Sequence, residues 1–125
     1  MILFFGYEPD SNDLWVWKVI LEGKYSPRVV VMEFNGTIAK GVNKTIKYNP
    51  NAVWNNNDYY GASFEALRIL GIEKGYTLVL QVATTNMIFI RSDIVAQGDY
   101  GIDYVPMQYH AHANYGEWVE YKPVS

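Results

Sequence analysis

The chain has no cysteine, which excludes disulfides and thiolate chemistry. It also has little charge: 18% of its residues are charged, and the formal net charge of −3 gives no electrostatic reason to expect nucleic acid or an anionic membrane as partner. Long hydrophobic runs are missing too. Met1 to Phe5 is apolar, but no basic region precedes it, and Glu8-Pro9-Asp10 follows at once. That stretch is too short for a signal peptide or a membrane span, so a cytoplasmic location is the expectation. With half of the residues apolar and fewer than a fifth charged, an ordered chain is the expectation. A length of 125 residues suits one domain with a real core.

Aromatic residues are plentiful: eleven tyrosines, five phenylalanines and four tryptophans, enough to fill a small core with large rings and still supply an interface. The stretch from Pro27 to Asn35 organises the rest. Val29, Val30, Val31 and Met32 run without alternation, which predicts a central parallel strand covered on both faces. Glu33 and Asn35 arrive at its C-terminal end, where open α/β sheets meet their ligands.

Before that strand, Ile2 to Phe5 reads as a short buried strand. Asp10, Ser11 or Asn12 is placed to cap a helix over Leu14 to Leu21, with Asp13 favourable in its first turn. Leu14, Trp17 and Leu21 share one face, but Trp15, Val16 and Val19 make the other side apolar, so the helix is expected to be largely covered. After the strand, Gly36 to Asp58 is a polar connection in which Thr45 to Tyr48 is the one strand-like piece. Two glycosylation sequons, at Asn35 and Asn43, are read as coincidental.

A second helix is predicted over Tyr59 to Lys74, capped by Asp58, with Ala62, Ala66, Leu67, Ile69 and Leu70 buried. Gly61-Ala62-Ser63 keeps its first turn small, and Lys74-Gly75 closes it. Strands Tyr76 to Val82 and Met87 to Arg91, joined by Ala83-Thr84-Thr85-Asn86, form an antiparallel hairpin. Residues 97–125 form an aromatic-rich tail that must pack on the body of its own chain or on a neighbour.

Several words in order carry a resemblance: Asn12-Asp13-Leu14-Trp15-Val16-Trp17-Lys18, Pro27 to Asn35, Tyr59-Tyr60-Gly61-Ala62-Ser63 with Ala66-Leu67, Lys74-Gly75-Tyr76, and Asn86 to Arg91. Together they resemble the C-terminal portion of FkbM-like methyltransferase relatives, within the class I methyltransferase-like Rossmann proteins. The resemblance spans roughly residues 2–95. It implies a small α/β fold, a partial Rossmann-like sheet ending in an antiparallel hairpin over residues 1–96, followed by the tail of 97–125. Such enzymes hold S-adenosylmethionine against a Gly-rich loop after the first strand and an acidic residue after the second. No G-x-G-x-x-G is present here, and the expectation is that this chain lacks the half of the fold that would carry it. The expectation is therefore a non-catalytic binding or interaction module without cofactor. The alternatives are one part of a split S-adenosylmethionine-dependent methyltransferase with a separately encoded partner, or a small hydrolase.

Candidate ligand-binding residues are Asp10, Asp13, Glu33 and Asn35 at the ends of neighbouring strands, Trp54 and Tyr60 with Tyr59 as a groove for a planar or sugar ligand, and Ser63. Each has a plain structural use: Asp10 and Asp13 in capping, the rings in packing. The hydrolase alternative rests on Asp10, Asp13 and Glu33. His110 and His112 would face one way on a strand, but with no third histidine and no cysteine, no metal is expected. Neither Ser63 nor Ser92 sits in a nucleophile motif. A homodimer is expected, because the first strand lacks a neighbour and the tail has an interface-like composition.

Overall fold

The computed structural model describes residues 2–4, 12–22, 26–49, 59–95, 102 and 116–123. Eight elements follow in order: β1 (Ile2–Phe4), α1 (Asp13–Glu22), β2 (Val29–Glu33), β3 (Thr45–Ile46), α2 (Phe64–Glu73), β4 (Tyr76–Val82), β5 (Asn86–Arg91) and β6 (Trp118–Val119). They make a mixed α/β architecture with two small sheets. The larger sheet has the order β1-β2-β5-β4, and β3 pairs with β6 in the smaller one.

β2 is central, as its run of valines predicts, but only one of its neighbours is parallel. β1 lies parallel to it, with Leu3 opposite Val30, whereas β5 is antiparallel, with Val31 opposite Ile88. Nor is β2 covered equally on both faces. Val30 and Met32 are fully buried, while Val29, Val31 and Glu33 on the other face are half-buried. The valine run reflects β-branched preference for a pleated strand as much as two-sided burial.

The parallel β1/β2 pair requires a crossover, which α1 supplies. Leu14 and Trp17 from α1 enter the core, and the Trp17 ring lies 5.0 Å from Phe89 and 5.8 Å from Tyr76 between centroids. The prediction of a largely covered helix does not hold: Val16 is 38% exposed and Val19 67% exposed. A helix packed against one sheet face hides one stripe, and residues on the far side gain no cover from that packing.

α2 starts later than its sequence pattern predicts. Ser63, not Asp58, is the N-cap, its hydroxyl accepting a bond from the Ala66 N–H. The Gly61-Ala62 pair lies before the helix, where Ala62 bridges to Thr45. The earlier start looked plausible because Tyr59 to Ser63 is short of strong breakers other than Gly61, and Asp58 is a good cap type; tertiary pairing of Ala62 overrides this local preference. Asp58 itself lies outside the described residues. Burial of Phe64, Ala66, Leu67, Leu70 and Gly71 follows the expected stripe, with Ile69 half-buried at its margin and Phe64 added. The C-terminal signal works as read: Lys74 is the C-cap and Gly75 takes φ +85°, a conformation that suits glycine.

The β4–β5 hairpin is present as predicted, with a bulge between Leu78 and Leu80, and β5 begins one residue earlier than expected, at Asn86. The tail's last described residues pack on the chain's own body. Trp118 and Val119 pair with β3, and Tyr121 is buried in the core. Of the strand-like piece Thr45 to Tyr48, only Thr45 and Ile46 are in strand.

Candidate functional site

Beyond the end of the sheet where β1 and β2 finish lies the segment that carries β3, with the residues that lead into α2. Three asparagines hold this segment. Asn12, immediately before α1, donates from its amide to the Asn49 carbonyl at 2.6 Å and accepts from the Asn49 N–H at 3.2 Å. Asn35, two residues past β2, donates to the Tyr60 carbonyl at 2.9 Å and accepts from both the N–H and the hydroxyl of Thr37. Asn43 donates to the Tyr121 carbonyl at 2.8 Å and accepts from the Tyr121 N–H at 3.1 Å. A primary amide carries a donor and an acceptor side by side, so each clamps a piece of backbone from a distant part of the sequence. Both sequon asparagines are thereby engaged in the fold.

Ser63 joins this segment to α2. Besides capping the helix, its Oγ accepts from the Lys44 N–H at 3.1 Å, and the Ser63 N–H donates to the Lys44 carbonyl at 2.8 Å. Asn35 and Ser63, both proposed from sequence as ligand contacts, are 0% and 1% exposed. Their polar atoms hold chain to chain. Tyr60 meets Asn35 through its backbone carbonyl and is half-buried. Asp13 opens α1 and is half-buried. Glu33 ends β2 opposite Asn86, and burial alone pushes its carboxyl above the usual carboxylate range. Asp10, Trp54, His110 and His112 lie outside the described residues. Among the described residues, no cluster of three acidic or histidine side chains is arranged to hold a metal ion.

Sequence reasoning missed an open cleft of about 500 Å³ beside this segment. Its lining includes Ile46, Lys47, Tyr48, Asn49, Tyr59 and Glu117. Tyr59 braces it: the phenol oxygen accepts from the Lys47 N–H at 3.2 Å and its O–H donates to the Glu117 carbonyl at 3.0 Å. The Tyr59 ring meets Trp118 edge-on, with centroids 4.8 Å apart, and the Lys44 ammonium sits 4.9 Å from the centre of the Trp118 ring. Gly116 also lines the cleft, with φ +143°, and any side chain there would collide with the Tyr59 ring. The sequence flagged Tyr59 as a groove residue; its partners Tyr48 and Glu117 stand 11 and 58 positions away, and only the β3–β6 pairing brings them together.

Comparison of the chain with protein-family models, curated proteins and solved structures gives no match.

Proposed function

We propose that this protein is a non-catalytic binding or interaction module derived from a methyltransferase-like fold, acting as a homodimer in the cytoplasm. The observation that carries this reading is the state of the polar residues past the end of β2. Asn35 and Ser63 stand where a catalytic domain of this type would present groups to a ligand, yet both are buried and bonded to backbone. The sheet order supports the derivation: a parallel β1–α1–β2 unit, then α2, then an antiparallel hairpin whose second strand lies against β2. This agrees with a partial Rossmann-like sheet ending in a hairpin. The absence of G-x-G-x-x-G from the sequence removes the loop that would cradle the cofactor.

Calorimetry with S-adenosylmethionine and S-adenosylhomocysteine tests the reading, and no binding heat is expected from the chain. Micromolar affinity for either compound would overturn it. Binding that emerges only with a second protein present would establish the split-methyltransferase alternative instead.

A further inference from the structure

The geometry points to the cleft lined by Tyr48, Tyr59 and Glu117, beside the β3–β6 pair, as a carbohydrate-binding site for neutral oligosaccharides. This rests on the binding-module reading and names its ligand class. Position is the first ground. The segment that carries β3 lies beyond the end of the sheet at which parallel β1 and β2 finish: Asn12 at the entry to α1 holds Asn49, and the Asn35 N–H just past β2 donates to the carbonyl of Ala62, which bridges to Thr45. Ligands of α/β sheets collect at that end.

Chemistry is the second ground. Tyr48 is 56% exposed beside the half-buried Tyr59, so the cleft offers aromatic surface, and one basic residue, Lys47, and one acidic residue, Glu117, are among its lining. A sugar ring has an apolar C–H face that stacks on an aromatic ring, and hydroxyls at its edge that both donate and accept. One lysine against one glutamate suits such a ligand. With one residue of each sign in its lining, the cleft has no net charge to select an anion or a cation.

Backbone geometry separates sugars from peptides. An extended peptide binds by adding a strand to an open edge, and so needs unpaired backbone groups. At this cleft the Ile46 N–H already donates to the Gly61 carbonyl at 2.9 Å and the Lys47 N–H to Tyr59, while the Glu117 carbonyl receives the Tyr59 hydroxyl. These three groups are therefore not open to an added strand. The volume of about 500 Å³ also falls within the usual range for small-ligand sites.

Saturation-transfer NMR on the full chain, with tetrasaccharides of glucose, xylose, mannose and N-acetylglucosamine as separate probes, is the test. At least one should receive saturation at its ring C–H protons. Tyr48→Ala should weaken that binding at least tenfold without lowering the melting temperature, because Tyr48 is exposed. Gly116→Ala, which drives a methyl group into Tyr59, should abolish it by displacing one wall. No signal from any of the four at millimolar concentration would overturn the proposal, as would binding that Tyr48→Ala leaves unchanged, or binding confined to an anionic probe such as polygalacturonate. Failure here leaves the calorimetric test of the module reading untouched, since that test concerns S-adenosylmethionine alone.

Discussion

Glu33 differs from Asn35 and Ser63 because its half-buried carboxyl has no hydrogen-bond or ion-pair partner among the described residues. Asn35 both donates and accepts and the Ser63 hydroxyl accepts from two backbone N–H groups, and a net hydrogen bond of this kind is worth about 1 kcal/mol, with a larger loss when a buried partner is orphaned. The Glu33 carboxyl gains no such return, and burial raises its pKa. In the unfolded chain the carboxyl ionises at its ordinary value, so between that value and the raised folded one the unfolded state holds fewer protons. Stability from this group is therefore present at acid pH, is lost as pH rises through the folded pKa, and stays lost above it. Glu33→Gln should raise the melting temperature at neutral pH. The advantage should vanish below about pH 4, where both states of the wild type are neutral. Thermal denaturation of both proteins across that range is the measurement, and a pH-independent difference would refute the assignment.

At the scale of elements, α2 and the hairpin meet at Gly71 and Phe89. Alanine normally stabilises a helix interior over glycine by about 1 kcal/mol. Here an added Cβ would lie 2.5 Å from Cε1 and 2.9 Å from Cδ1 of Phe89, a ring that is itself fully buried and held against Trp17. Overpacking of this kind costs about 1–3 kcal/mol, so the clash outweighs the propensity gain. Gly71→Ala should lower the urea midpoint with an unchanged m-value, and an increase would show that Phe89 has room to move. Local pattern is what made α1, β2, β4 and β5 legible in the sequence: apolar periodicity, a β-branched run, and a Lys-Gly helix end. It failed at the start of α2, because the bond from Lys44 to Ser63 and the bridge from Thr45 to Ala62 join residues 17 to 19 positions apart. It failed again at β6, a two-residue strand whose existence depends on β3. The cleft was illegible for the same reason, and only Tyr59 carried a local hint, from its place beside Tyr60 and the Asn-rich turn.

For the whole molecule the apolar outer side of α1 is the surface that calls for cover. Val16 and Val19, three positions apart on one face, are exposed, and among the described residues β1 stands at one edge of the larger sheet. A symmetric contact about a two-fold axis through the Val16–Val19 face would cover it with self-complementary valines. Removing residues after Gln97 would not test this cleanly. That cut deletes Tyr121, which is buried in the core and donates its hydroxyl to Glu73 at 3.0 Å, so it would damage the monomer itself. Charge placed on the valine face is the better probe. Light scattering should give a dimer for the intact chain, and Val19→Glu should shift it toward monomer, because two like charges would then face each other across the axis. The melting temperature of that variant should fall only as far as the lost association accounts for, becoming independent of protein concentration. A monomer at every concentration would sink the dimer, and a dimer indifferent to Val19→Glu would move the contact away from α1.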